Sequence, residues 1–349
     1  MSIVYHERPG VYSDYSASSV SSSGSGAKVI ALIGQSDADA GLYTVTSRSD
    51  AAGFGAATPL GKMLQAAYDN GAGTVLAYSV AGSTAADYAA AVAAVLDEKR
   101  ASFCAVDSTD ETVQKALRDA VAAASKQKGE CIAVVGMADP NKAALLSRAA
   151  ALDSERVVLV GPDVYRAGET QCCGGFVPAA ALCGVLAAQS DPALPLNGAE
   201  LNGLDGVTAR YDDTDVDALV QGGVTILTAE NGVVSVLRGI TTRQTVGEGR
   251  DATYRELGTI LVIDDVIPGI RSALAARFPR AKNNAATRRA IRSQVIVELE
   301  DRLAREIIDS YRDVTVTPSD VDANTCVVAF SFTVTGGLNR IYLTAHISV

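Results

Sequence analysis

Residues 131–160 read CIAVVGMADPNKAALLSRAAALDSERVVLV, which is one complete strand–helix–strand unit. The apolar runs at 131–136 and 156–160 predict strands that are buried on both faces of a sheet. Residues 140–151, between them, predict a helix with Asp139 as its N-cap. Because parallel strands need a crossover of about this length, the stretch predicts a parallel α/β sheet with right-handed connections.

The same alternation extends in both directions from this unit. Apolar runs predict strands at 29–34, 74–80 and 102–106, and helical patterns lie at 59–70, 84–100 and 111–127. Residues 175–189 are apolar almost all round, which is typical of a buried helix. The sequence therefore predicts a mostly parallel α/β sheet domain.

The pattern changes after Asp191, where proline and glycine punctuate the chain. Runs at 224–228 and 233–238 flank Asn231-Gly232, a strong hairpin signal. A long helix is predicted at 285–311. Alternating runs at 328–334 and 340–349, with Gly336-Gly337 between them, predict a terminal hairpin. These elements predict a smaller C-terminal α+β domain.

Both ends of the chain are predicted to be extended arms. Residues 1–15 carry strand-type residues around Arg8-Pro9-Gly10, and residues 16–26 are a flexible Ser/Gly segment. The expected organisation is an N-terminal arm and linker at 1–26, an α/β domain at 27–235, a C-terminal α+β domain at 236–339 and an arm strand at 340–349. An apolar strand at a chain end is suited to pairing with another sheet edge.

Composition excludes several classes of function. The 349 residues are 48% hydrophobic and 20% charged, which is enough to build a folded core. A net charge of −10 opposes nucleic-acid binding through overall charge. No apolar stretch approaches the ~20 residues of a transmembrane helix, so we expect no membrane insertion. The first residues lack the layout of a signal peptide, so synthesis in the cytoplasm is expected.

The sequence offers little for catalysis. The two histidines, His6 and His346, lie at opposite ends of the chain, and no C-x-x-C pair occurs among the six cysteines. Most cysteines read as small buried hydrophobes in a reducing compartment, and a vicinal disulfide at Cys172-Cys173 is not expected. We therefore predict no catalytic residues, no cofactor and no metal.

Three short motifs resemble known binding or catalytic sites but lack residues or spacing that those sites require. The stretch 55–63, GAATPLGKM, has one residue too many for a P-loop and lacks the Ser or Thr after Lys62. The acids Asp213, Asp215 and Asp217 lack the glycine and glutamate of a calcium loop and better suit a helix N-terminus. The pair Asp264-Asp265, at the end of a predicted strand, favours a loop or a helix cap over acid–base chemistry.

One charged segment stands apart. Residues 266–297 contain seven basic residues and no acidic residue. Within so acidic a chain this segment favours a docking face for an acidic partner. A solvated helix face remains the alternative.

Several short stretches stand out by their order and spacing along the chain. They are residues 8–12 (RPGVY), the strand at 29–34, Phe54-Gly55, residues 70–72 (NGA), 240–243 (ITTR), the passage at 264–271, read as strand to helix, and 341–344 (IYLT). Together they resemble the tail sheath proteins of contractile bacteriophage tails and related R-type bacteriocins. The resemblance runs over nearly the whole chain, although no single motif is as specific as a metal signature.

The resemblance implies a structural role. Six copies would form a ring around a tail tube, and rings would stack helically into a sheath that contracts to drive the tube through the target cell envelope. The arms would add strands to neighbouring subunits, through Ile3, Val4, Tyr5, Val11, Tyr12, Ile341, Tyr342, Leu343, Ile347 and Val349. The C-terminal domain would lie innermost and face the tube with Arg280, Lys282, Arg288, Arg289 and Arg292.

The resemblance also implies partners and a location. The partners are further copies of the chain, the tail tube protein, and the baseplate and tail terminator proteins. The location is a virion tail or bacteriocin particle assembled in the bacterial cytoplasm. The competing hypothesis is an α/β enzyme that acts on a small molecule at the carboxyl ends of its strands.

Overall fold

The computed structural model describes residues 28–244, 254–319 and 324–339. The first part of the chain contains the elements β1 Val29–Gly34, β2 Gly41–Val45, α1 Arg48–Ala51, α2 Pro59–Asp69, β3 Val75–Ser79, α3 Ala85–Asp97, β4 Ala101–Val106, α4 Glu111–Lys126, β5 Ile132–Gly136, α5 Lys142–Leu152, β6 Val157–Gly161, β7 Val164–Arg166, α6 Phe176–Ala188, β8 Leu204–Val207, α7 Asp213–Gln221, β9 Val224–Glu230 and β10 Val233–Arg238. The second part contains α8 Leu257–Arg277, α9 Ala285–Ala304, β11 Ile308–Pro318 and β12 Cys326–Val334.

Eight strands form one sheet in the order β10-β9-β6-β5-β4-β1-β3-β2. The six central strands, from β9 to β3 in this order, pair in parallel, and the edge strands β2 and β10 are antiparallel. The predicted mostly parallel α/β sheet is therefore confirmed. It follows from runs that are apolar on both faces, since helices must cover both sides of such a sheet.

Each face of the sheet carries its own core. In β1, Ile30 and Leu32 point to the layer that holds α2 and α6, whereas Ala31 and Ile33 point to the layer of α3, α4 and α5. The predicted buried helix is α6, whose nine residues from Val177 to Gly184 and Leu186 are buried. Full burial of one Leu or Ile side chain contributes about 1.5–3 kcal/mol, so the two layers hold most of the stabilising area.

Local signals placed several boundaries correctly. Thr84 caps α3 in a reciprocal capping box with Asp87. Asn231 and Gly232 have φ of 52° and 80°, the left-handed geometry of a tight hairpin turn between β9 and β10. The prediction of Asp139 as the α5 cap is wrong. Asn141 is the cap, and Asp139 instead accepts a hydrogen bond from the Asn141 backbone N–H at 2.8 Å.

The C-terminal region, α8 to β12, is a smaller α+β unit, as predicted. The helices α8 and α9 pack on the antiparallel pair β11–β12, and Val328, Phe330, Phe332 and Val334 face their common core. The prediction of one helix over 285–311 is wrong, because α9 ends at Ala304. Glu306 has a φ of 59°, which breaks the helical path before β11 begins.

The two terminal arms lie outside the described residues. The predictions for residues 1–26, and for the pairing of 340–349 with β12, therefore stay predictions. Among the described residues, no helix is both long and apolar enough to cross a membrane.

Candidate functional site: the helices of the C-terminal region and their charges

The helix α8 belongs to two cores at once. Leu257, Ile260 and Leu261 pack with the α2–α6 layer of the sheet, and Val262 and Val266 pack into the C-terminal core. One helix with two apolar faces thus joins the regions. It continues through Pro268 without ending, so the predicted strand end at 260–263 and the strand-to-helix passage at 264–271 are wrong.

The two neighbouring acids Asp264 and Asp265 have different partners. Asp264 pairs with Arg156 at the start of β6, and Asp265 pairs with Arg302 of α9, with Nε to Oδ2 at 3.1 Å. Consecutive helical side chains diverge by about 100°, so one helix reaches both regions. The two acids therefore form neither a cap nor a carboxylate pair, which corrects the expectation.

Burial and ion pairing shift the pKa values of two acids at this junction in opposite directions. Burial raises the pKa of Asp264, and the charge of Arg156 only partly opposes the rise. At Glu130, burial also acts to raise the pKa, but the hydrogen bond and charge of Arg271 outweigh it, so the pKa is lowered. Arg271 Nη2 lies 2.8 Å from Glu130 Oε1 and gives a second tie between α8 and the sheet.

Arg302 is the most buried cation of the C-terminal region that the structure describes, at 6% exposure. It donates to Asp265, to the Glu298 carboxylate at 3.0 Å and to the Glu298 carbonyl oxygen at 2.8 Å. A Cβ at Gly269 would lie 2.0 Å from Arg302 Nη2, so this glycine leaves the space that the guanidinium fills. This cluster was not predicted from the sequence, where Pro268-Gly269 is the local feature that marks its position.

The predicted basic residues surround the start of α9. Arg280 and Lys282 lie exposed in the connection between α8 and α9, and Arg289 is exposed in α9 itself. Arg288 is half-buried and donates to Asn283 Oδ1 at 2.8 Å, while Arg292 donates to the Val314 carbonyl oxygen of β11 at 2.7 Å.

None of these five cations forms an ion pair within the described parts of the chain. They form a cationic surface around the N-terminal end of α9. We call it the α9 basic surface, consisting of Arg280, Lys282, Arg288, Arg289 and Arg292.

Comparison with known proteins decides the family. Models of the phage tail sheath protein central domain and of the phage tail sheath C-terminal domain match residues 81–242 and 250–348, which together are about three quarters of the chain. The chain belongs to the phage tail sheath family. The predicted resemblance is confirmed, and the protein is a structural subunit of a contractile sheath. No curated protein sequence matches it.

Solved structures agree with this sheath fold. A subunit of the contracted helical sheath of the anti-feeding prophage is 18% identical over 99% of this chain and 100% of that chain, with a TM-score of 0.74. A sheath tail protein from Listeria innocua is 14% identical over 88% and 92%, with a TM-score of 0.74. One from Desulfitobacterium hafniense is 14% identical over 93% and 100%, with a TM-score of 0.71.

An acid lies where an enzyme of this fold would bind its ligand. Strand order reverses between β1 and β4, which is where α/β folds open a crevice. Asp107 follows β4 there; its Oδ2 accepts from the Gln35 backbone N–H at 2.8 Å and Tyr88 donates to Oδ1. A Cβ on Gly34 would lie 2.8 Å from this carboxylate, so Asp107 packs against the end of β1.

The other motifs that resembled sites have local structural roles in the sheath protein. Thr58 Oγ1 caps α2 by accepting from the Gly61 N–H at 3.1 Å, and a Cβ on Gly61 would meet the Gly55 carbonyl oxygen at 1.8 Å, so this loop packs on itself. Asp212 caps α7, and Asp213 and Asp215 lie in its first turn. Within the described ranges no group of three or more metal-binding side chains occurs, and the cysteines there are free.

Proposed function

We propose that the protein polymerises as stacked hexameric rings around a tail tube. The sheath would shorten and drive the tube through a target cell envelope, with the baseplate and tail terminator proteins at its ends. The observation that carries this proposal is the match of central and C-terminal sheath domains, in that order, along one chain. The likeness to a sheath subunit in a contracted state, and to one within the anti-feeding prophage baseplate, supports it.

In this proposal the protein carries out no catalysis and binds no cofactor. It is assembled in the bacterial cytoplasm and remains part of a virion tail or bacteriocin particle. The match to the central and C-terminal domains of a structural sheath family supports this against the enzyme hypothesis. Electron microscopy of the negatively stained purified protein tests it. Tubes with six-fold symmetry are the expected result, whereas a protein that stays monomeric at every concentration contradicts the proposal.

We propose that the two arms link neighbouring subunits by strand addition. The candidate residues are Ile3, Val4, Tyr5, Val11, Tyr12, Ile341, Tyr342, Leu343, Ile347 and Val349. The last described residue before the C-terminal arm, Asn339, is anchored by a hydrogen bond from Asn197 at 2.7 Å. Lys28, the first described residue, donates to the Gln189 carbonyl oxygen at 3.2 Å, and burial lowers its pKa.

Because the residues next to both arms are held by hydrogen bonds, a force on an arm is transmitted to the folded part of the subunit. Deletion of residues 1–15 should leave a folded subunit that forms no stable sheath. A truncated protein that polymerises like the full chain contradicts the role of the arm.

We propose that residues 236–339, which begin inside β10, form the inner domain, and that residues 27–235 form the outer one. In this arrangement the α9 basic surface faces an acidic tube. Cations near a helix N-terminus oppose the helix dipole by roughly 0.3–1 kcal/mol each, so the dipole does not explain why they gather there. Exposed ion pairs are worth about 0–1 kcal/mol apiece, so several could hold the sheath and still release it on contraction.

Charge reversal tests whether the α9 basic surface contacts the tube. The triple variant Arg288→Glu/Arg289→Glu/Arg292→Glu should polymerise alone but fail to assemble in the extended form around tubes. The matched control is Arg305→Glu/Arg312→Glu, which reverses two exposed cations elsewhere in the same region. Normal extended tails from the triple variant contradict tube contact, and loss of polymerisation without tubes indicates contact between sheath subunits instead.

A further inference from the structure

A cleft of about 310 Å³ opens where α8 crosses the amino-terminal edge of the sheet. The apolar residues Phe103, Leu261 and Pro268 line the cleft, together with the acids Glu130, Asp264 and Asp265. Lys99 and Arg100, just before β4, and Lys128, just before β5, line the same cleft and are exposed. We call these three residues the cleft cations.

The acids of the cleft are already paired, so they leave the cleft cations uncompensated. Glu130 binds Arg271, Asp264 binds Arg156 and Asp265 binds Arg302. Asp97 and Glu98 are exposed on the connection that carries Lys99. The cleft cations make no ion pair with any described residue.

The opposite edge of the same strands is acidic. Asp110 follows β4 and Asp139 follows β5, and both are exposed. Asp213 joins them, because Lys142 at the start of α5 binds Asp215 at 2.6 Å and so holds the start of α7 at this edge. Lys115 and Arg148, on the helices that follow β4 and β5, both pair with Glu111. Arg210, three positions before Asp213, is an exposed cation at this edge. We call Asp110, Asp139 and Asp213 the edge acids.

Parallel pairing causes this polarity. All strands of a parallel sheet begin at one edge and end at the other, so residues that precede β4 and β5 lie about 17–20 Å from those that follow them. The cleft cations and edge acids therefore lie at opposite ends of one subunit and cannot pair with each other within it. A second copy, shifted along the strand direction, brings unlike charges together.

We propose that the cleft with its cations receives the edge acids of a neighbouring copy. The inference rests on the proposed self-assembly and adds a specific contact to it. Such a contact joins two different surfaces, so it propagates from copy to copy, as a ring or helix requires. Because the charges are exposed, the contact weakens as salt rises.

A charge-swap experiment tests the contact. One variant reverses the cleft (Lys99→Glu/Arg100→Glu/Lys128→Glu), and another reverses the edge (Asp139→Lys/Asp213→Lys), leaving Asp110 to cap α4. At about 0.1 M salt each alone should need at least about tenfold more protein to self-associate in the analytical ultracentrifuge, since several exposed pairs are reversed. An equimolar mixture should associate close to the wild-type concentration, because copies of the two variants that alternate along the assembly place unlike charges at every contact.

The controls separate this contact from sheath assembly in general. Arg305→Glu/Arg312→Glu reverses exposed cations outside the cleft and should associate like wild type. If wild type forms tubes and the cleft-reversed variant forms them at the same concentration, or if two folded variants fail to rescue each other, this contact is wrong and the proposed function stands. A wild-type protein that remains monomeric at every concentration overturns both.

Discussion

The sheet region, β1 to β10, and the C-terminal region, α8 to β12, are stabilised differently. Two apolar layers enclose the sheet, whereas the C-terminal core, in the part of the chain that the structure describes, holds eight buried apolar residues beside a buried arginine with two acidic partners. An apolar core tolerates the loss of any one polar contact. A thin core built around a paired charge depends on that pair, because an unpaired buried charge is costly.

The comparison indicates that the C-terminal region opens before the sheet. Its two strands pair only with each other within the described residues, and two-stranded sheets are marginal without further packing. A region of this kind is suited to completion by neighbouring subunits. Four predictions test the difference in stability between the two regions, from the largest expected effect to the smallest.

Arg302→Leu should destabilise the C-terminal region by about 3–5 kcal/mol, because Asp265 and Glu298 lose their buried partner. Hydrogen exchange should rise in α9 and β11 and stay low in β4 and β5. The control Arg305→Leu removes an exposed pair with Asp301 and should cost at most about 1 kcal/mol. Equal exchange in both regions of the Arg302 variant would falsify the idea of separate stability.

Leu182→Ala should cost about 2–5 kcal/mol, since this side chain of α6 is fully buried between the sheet and α2. In contrast to the arginine variant, the whole urea transition should shift to lower concentration. Val297→Ala, at a position of α9 that is 58% exposed, should change the free energy of unfolding by less than about 0.5 kcal/mol. A shift confined to the C-terminal region would contradict this prediction.

The two carboxylates that tie α8 to the sheet should respond to pH with opposite signs. The pKa of Asp264 is raised in the folded state, so the folded protein binds more protons and stability falls as pH rises above about 3.8. The pKa of Glu130 is lowered, so its contribution is present above about 4.5 and is lost as pH falls.

The measurement is the free energy of unfolding in urea from pH 3.5 to 7. Asp264→Asn should remove a falling component from the pH profile, and Glu130→Gln should remove a rising one. Each variant is the control for the other, because both lose one ion pair at the same junction. If both substitutions change the slope of stability against pH in the same direction, the prediction is wrong.

Arg289→Glu should raise the stability of the isolated subunit slightly, by up to about 0.3–1 kcal/mol, because an acid near the start of α9 suits the helix dipole. Thermal unfolding of the monomer measures this. Arg292→Glu is a useful contrast. It removes the hydrogen bond to the Val314 carbonyl oxygen, so it should not stabilise. A clear loss of stability in the Arg289 variant would assign this residue a role within the subunit.

Local patterns were sufficient for much of the fold. Apolar runs of five or six residues predicted β1, β4, β5 and β6, since a strand buried on both faces leaves no polar position. Asn231-Gly232 predicted its hairpin, because both residues accept a positive φ. The departures of 55–63 and Asp213–Asp217 from their motifs were visible without coordinates, since those chemistries require particular residues at particular spacing.

The tertiary structure alone decided the partners of charged side chains. Nothing in the chain near Asp264 and Asp265 indicates that one binds Arg156 and the other Arg302, because ion pairs form between residues more than 30 positions apart. The end of α9 was likewise missed, because Glu306 takes the left-handed position of a Schellman-type helix end that glycine usually marks. Sequence by itself determined the central strands and helices of the sheet and the departures from known motifs, which are properties of neighbours along the chain. The contacts of α8 with both regions, and the unlike charges of the two sheet edges, arise only when distant segments of the chain pack together. The tertiary structure therefore decided them.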